Sequence, residues 1–340
     1  MTKLKRITLV GMLIVLMILA GCQIYNDSKP NKEDVKELTK VKVALLPTIS
    51  FAPFFIGIEE GYFEEQGIEV ELEKFSQSTN WVPALAQGDI DVGAGGITSS
   101  FFNSIARGMN IRIVADKGNL QGDCDYAAIV VRKDLFENDE ITELSDLKGL
   151  KIGLSYLSTW GYVYSEILKK GNLSLDDIEV INLRDSERIE AMQTKGIAAA
   201  TIGEPSLTQV IDMGLGVKLI GWKDAIPDFQ LGYILYGPNL LEKDPQLGKR
   251  FMVAYLKSVR QYNEGKTARN IEIIRRDTDL EKDLIERSCW PPIYSDGHLS
   301  VQSLLEVQNW GYENGYVDSL VSVDQLIDES FLEYANEVLS

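Results

Sequence analysis

The chain has 340 residues, 45% of them apolar and 25% charged, and carries a formal charge of −17. That balance excludes a nucleic-acid binder, which needs a basic footprint, and the length suits two domains of ordinary size. One histidine and three cysteines remove Cys/His zinc clusters and leave little for a histidine-based triad.

The chain opens with a basic start (Lys3, Lys5, Arg6), an apolar run over 7–19, and Leu19-Ala20-Gly21-Cys22. This order is that of a secretory signal peptide, and the run falls short of the ~20 apolar residues that span a bilayer. A cysteine after Leu-Ala-Gly resembles a bacterial lipobox. Residues 1–21 then form a leader, and Cys22 takes the lipid that anchors the mature chain to the outer side of a membrane. Removing the three basic leader residues takes the charge to −20. Residues 22–40, rich in Asn, Asp, Lys and Glu, read as a tether.

Residues 41–46 form a strand-like run closed by Pro47, and 53–60 read as a helix with Pro53 in its first turn and Gly61 past its end. Residues 68–72 alternate as a strand, 81–86 are helical, 90–94 are a strand, 99–107 a helix and 111–115 a strand. Such alternation predicts an α/β fold with parallel sheet. The order recurs about 107 to 110 residues later: 41–45 matches 150–154, 68–70 matches 178–180, and 84–90 matches 191–197. Two similar lobes follow, with lobe one over 41–128, lobe two over 129–232 and a return to lobe one over 233–340. The apolar runs 126–131 and 231–236 are expected to cross between lobes. The helical segments 247–262, 271–276, 281–288, 301–314 and 323–339 are expected to pack on lobe one. Cys124 and Cys289 read as two buried thiols, with a disulfide as the alternative.

Ligands in open α/β sheets sit beyond the carboxyl ends of the strands. That rule selects Ser50, Phe51, Ser76, Trp81, Gly96, Thr98, Ser99 and Asp116 in lobe one. In lobe two it selects Tyr156, Ser158, Thr159, Trp160, Arg184, Glu204 and Asp228. The loops 95–99 and 157–160 each run into a helix start, where free N–H groups and hydroxyls favour an anion, although Thr98 and Ser158 could equally be caps alone. Arg184 suits a sulfonate or carboxylate, or is a solvated surface arginine. Trp81, Tyr156, Trp160, Trp222 and Phe229 supply either aromatic walls for an organic solute or core. Glu204 and Asp228 could receive an amino group, and Glu204 could instead cap the helix begun by Pro205. Gly93-Ala94-Gly95-Gly96 lacks the third glycine of a dinucleotide fingerprint, and no Walker A sequence exists. No cofactor and no metal are expected.

Four stretches, 51–63, 84–93, 146–153 and 203–206, resemble in their order the signatures of the nitrate/sulfonate/taurine and thiamine-pyrimidine type of substrate-binding proteins, which serve ABC importers. The likeness spans residues 41–339. It implies a two-lobed type II periplasmic-binding fold with two hinge strands, a small-molecule solute in the cleft, and an ABC permease with its ATPase as partners. Alanine over 198–200, where an acidic residue is common, departs from the pattern and limits transfer of ligand residues. The expectation is a monomeric, non-enzymatic, lipid-anchored binding protein facing the periplasm or the exterior, taking an organic anion such as a sulfonate. The alternatives are a thiamine pyrimidine precursor as solute, a synthase-like enzyme, and a sensor without a transporter.

Overall fold

The computed structural model describes residues 38–340 apart from Pro47, Ser76 and Gln77. The leader, Cys22, the tether up to residue 37 and the candidate Ser76 lie outside the described residues.

The chain begins with β1 (Thr39–Leu45), α1 (Ala52–Glu59) and β2 (Ile68–Lys74), followed by α2 (Ser78–Gln87), β3 (Val92–Gly95), α3 (Ser99–Ala106) and β4 (Arg112–Asn119). β1 and β2 run parallel in full register from Thr39↔Ile68 to Leu45↔Lys74. β2 is an edge strand, and its outward glutamates Glu69 and Glu71 suit it to that place, because charge on an edge discourages stray pairing. The second half repeats the plan: β5 (Ala127–Arg132), β6 (Lys151–Leu154), α4 (Thr159–Lys170), β7 (Glu179–Asn182), α5 (Asp185–Gln193), β8 (Ala199–Gly203), α6 (Ser206–Asp212) and β9 (Gly216–Gly221). β10 (Gln230–Tyr236) and a helical tail complete the fold.

The two sheets have the orders β2-β1-β3-β10-β4 and β7-β6-β8-β5-β9. They are the same design: three parallel strands, then an antiparallel strand, then a fifth. In each sheet the antiparallel strand follows directly on the other lobe's last strand. The two apolar runs expected to cross between lobes are therefore central strands, β5 between β8 and β9 and β10 between β3 and β4. The reason is burial: every residue of β10 is buried, and an apolar run covered on both faces belongs inside a sheet. The chain changes sheet between Asn119 and Ala127 and again between Gly221 and Gln230. These two crossings touch, with Gln230 paired to Asn119 and the Leu120 N–H donating to the Phe229 carbonyl at 2.9 Å.

The tail comprises α7 (Pro245–Tyr262), α8 (Ala268–Thr278), α9 (Lys282–Arg287), α10 (Val301–Glu313) and α11 (Ser330–Leu339). α7 packs on α1 and α11, and Phe54, Phe251 and Tyr255 form one aromatic cluster with β1. The tail packs on lobe one as expected, and it also reaches lobe two. From α10, Glu306 accepts from the Tyr162 hydroxyl of α4 at 3.0 Å, and Arg287 of α9 pairs with Asp212 of α6. The tail also carries Cys289 to the first crossing, where it is disulfide-bonded to Cys124 with the Cα atoms 5.8 Å apart. The reading as two buried thiols gives way to the bridge.

Candidate functional site

The loops after β1, β3, β4, β6 and β7 converge on a cavity of about 390 Å³ between the two sheets. Lobe one contributes Thr48, Ser50, Phe51, Gly95, Gly96, Thr98, Lys117 and Gly118. Lobe two contributes Tyr126, Ser155, Ser158, Trp160, Leu183, Arg184, Ser186 and Arg188, while Leu231, Gly232 and Pro291 close the hinge side. Gly95 (φ 152°) and Gly118 (φ 156°) hold backbone geometries that L side chains rarely adopt, which lets the strand ends turn into the cavity.

The lobes meet directly at this cavity. Thr98 and Ser158 form a β-bridge, Thr159 N–H donates to the Ile97 carbonyl at 2.8 Å, and Ile97 N–H donates to Thr159 Oγ1 at 3.0 Å. Ser158 accepts from Trp160 N–H and so caps α4. Thr98 starts α3 without capping it; its hydroxyl is buried and has no partner among the described residues.

The cavity is cationic in an acidic protein. Lys117 is 5% exposed, donates to Ser50 Oγ at 2.8 Å and lies 4.0 Å over the Phe51 ring. Burial pulls its amine down to about 7, and nearby Asp116 only partly opposes this. Arg188, also buried, donates to the carbonyls of Leu183 (2.9 Å) and Thr201 (2.9 Å). Arg184 lies at the exposed rim and is paired with Glu187, which holds its guanidinium above its ordinary value. No carboxylate lines the cavity among the described residues. Such a wall can hold an anionic head by charge and hydroxyl groups while Phe51, Trp160 and Tyr126 cover an organic body.

Residues 48–264 match the family model described as NMT1/THI5 like. The chain belongs to that family. The alkanesulfonate-binding protein SsuA of Xanthomonas axonopodis pv. citri, bound to MOPS, superposes with a TM-score of 0.71 at 17% identity, over 86% of this chain and 99% of that one. The desulfurization enzyme DszB shares the fold at a TM-score of 0.63 and 13% identity, over 88% of this chain and 99% of its own. The riboflavin-binding protein RibY of Chloroflexus aurantiacus is 22% identical over 272 residues, 76% of this chain and 74% of RibY.

In this member of the NMT1/THI5-like family, Ser50, Phe51, Gly96, Thr98, Ser158, Trp160 and Arg184 line the cavity. The other described candidates stand elsewhere. Trp81 is 1% exposed and packed against Gly93, with Trp222 and Phe229 likewise in the core. Ser99 and Thr159 take part in the lobe-to-lobe contacts rather than the cavity wall. Tyr156 stacks edge-on with Tyr316 of the tail. Asp116 is buried in a hinge lock, accepting from Gly118 N–H, Asn119, Gln230 and Tyr294 N–H, and burial pushes its carboxyl up to about 6. Glu204 accepts from Thr208 and from Cys289 N–H and faces a separate cavity with Lys266 and the disulfide. Its bond from Thr208 N–H is the helix-start role that Pro205 suggested. Asp228 is exposed, with φ 64°.

Sequence reading missed Lys117 and Arg188. Lys117 lies inside the post-strand stretch 116–119 that the carboxyl-end rule selects, from which Asp116 alone was chosen, and Arg188 lies one helical turn after Arg184, so i,i+4 spacing was the available signal.

Proposed function

We propose that this chain is the lipid-anchored, extracytoplasmic solute-binding component of an ABC importer, and that its cleft captures a small organic anion, a sulfonate first. One observation carries the reading: a buried lysine amine, Lys117, lies against the cavity with hydroxyls and an aromatic face around it and no carboxylate among the described residues lining that cavity. Family membership and the alkanesulfonate bound by SsuA agree with it. Closure of the lobes around the solute follows from a differential affinity for the closed form. The permease and its ATPase are the expected partners, and the reading takes the binding protein as a monomer.

A pyrimidine solute would have relied on Glu204 and Asp228, which lie off this cavity, so no observation favours it. An enzyme is likewise not favoured: His298, the one histidine, pairs with Asp296 away from the cavity lining, and two of the three cysteines are joined. The anchor rests on Cys22. Among the described residues no helix is long and apolar enough to cross a membrane.

The test is thermal unfolding of the mature protein with ethanesulfonate, benzenesulfonate, taurine, nitrate, riboflavin and a thiamine pyrimidine. A cognate sulfonate at a hundredfold its Kd adds about 2.7 kcal/mol of stability. Stabilisation by riboflavin or the pyrimidine alone would refute the anion, and conversion of any of them to product would refute a pure binder. Cys22→Ser should move the protein out of the membrane fraction.

A further inference from the structure

Lys117 is placed by a defect in its strand. In the β4–β10 ladder Gly118 pairs with Gly232 and Asp116 with Tyr233, so Lys117 is the extra residue of a bulge. Bulges re-aim side chains and recur beside functional sites. Here the bulge directs Lys117 toward Ser50 and the Phe51 ring in the cavity wall.

An ammonium buried this deeply needs a counter-charge or it loses its proton. The protein supplies neither a carboxylate in ion-pair reach among the described residues nor a free one nearby. Asp116, its chain neighbour, has both oxygens committed to Gly118, Asn119, Gln230 and Tyr294. The other titratable or charged groups lining the same cavity are Arg184, Arg188 and the phenol of Tyr126, none of which supplies negative charge at neutral pH. Burial holds the amine near 7, so it is part neutral in the ligand-free protein at physiological pH. An anion seated beside it would reverse that balance, and the Thr98 hydroxyl, without a partner among the described residues, offers the same anion a second contact.

We infer that Lys117 is the counter-ion of the captured anion and that capture takes up a proton at its Nζ. This rests on the reading of the cleft as an organic-anion site. The balance is simple: the neutral amine gains one proton from solution, the anion keeps its charge, and no bond to the solute forms or breaks. Binding therefore weakens as the pH rises above 7, and the site rejects neutral isosteres of its solute.

The probes are ethanesulfonate and benzenesulfonate, which stay charged at every working pH. Calorimetry on the full mature chain at pH 8 to 9, in two non-sulfonate buffers of different ionisation enthalpy, should show uptake approaching one proton per solute. The association constant should fall about tenfold from pH 8 to 9. Lys117→Met should lose at least tenfold in affinity at pH 7 and all proton uptake, while Lys117→Arg, always charged, should bind without proton uptake. In the ligand-free state, Lys117→Met should gain melting temperature over the native chain as the pH is lowered from 9 to 6. Where Lys117→Met fails to fold, the buffer comparison on the native chain decides alone. Sulfonate binding without proton uptake, or with equal affinity in Lys117→Met, overturns this inference and leaves the organic-anion reading standing. A native chain that takes neither sulfonate but is stabilised by riboflavin overturns both.

Discussion

Thr98 is 2% exposed, begins a helix and caps nothing, so its hydroxyl carries a desolvation cost that no contact among the described residues offsets. Thr98→Val keeps the shape and removes that cost. Its stability should equal or exceed the native value within about 1 kcal/mol, while sulfonate affinity falls about fivefold; paired melting curves and calorimetry check both. Arg184 is the opposite case. Its side chain is 54% exposed and already held by Glu187, and exposed pairs are screened and weak. Arg184→Ala should therefore cost less than about 1 kcal/mol of sulfonate binding. A loss of 1.5 kcal/mol or more, on the order expected for a charged hydrogen bond, would mean that the guanidinium leaves Glu187 for the solute.

At the level of elements, the wall of the cleft depends on how strands and helix starts pack. Trp160 lies over Gly203 at the end of β8, with its ring 4.5 Å from Trp222 edge to face. A Cβ at Gly203 would come within 2.7 Å of the indole. Gly203→Ala should push Trp160 into the cavity, cost about 1–3 kcal/mol of stability, and weaken benzenesulfonate far more than ethanesulfonate. Equal losses for the two solutes would show that the indole does not reach them. The strands, the helices and the converging loops were legible because each follows from periodicity, glycine and proline punctuation, and the carboxyl-end rule. Which residues reach the cavity was less so. The bulge that turns Lys117 inward leaves no mark in the pattern of β4, where a lysine reads as solvated. Arg188 hides among the charges of α5 for the same reason. Trp81 and Trp160 look alike in sequence, and only tertiary packing sends one to the core and the other to the wall.

For the whole molecule, duplication explains the two sheets, and the interchange of β5 and β10 explains why the lobes cannot be cut apart as consecutive segments. The sequence repeat pointed to the first; the second needed strand pairing, since an antiparallel insert and a crossover share the same apolar composition. The tail then couples the halves through Glu306, Arg287 and the Cys124–Cys289 bond. That bond closes a loop with a sequence separation of 165, which contains every strand from β5 to β10. Closing so long a loop removes much of the freedom of the unfolded chain, and loss of such a native bond typically costs about 2–5 kcal/mol. The Cys124→Ser, Cys289→Ser double variant should lose about that much by denaturant unfolding without ligand. Serine at 289 keeps the backbone N–H that Glu204 accepts, so the loss reports the covalent tie rather than that hydrogen bond. Reductant should lower the native chain's melting temperature toward that of the variant and leave the variant unmoved. A native chain indifferent to reductant, or a variant as stable as the native chain, would show that the tail holds the two lobes by its non-covalent contacts alone.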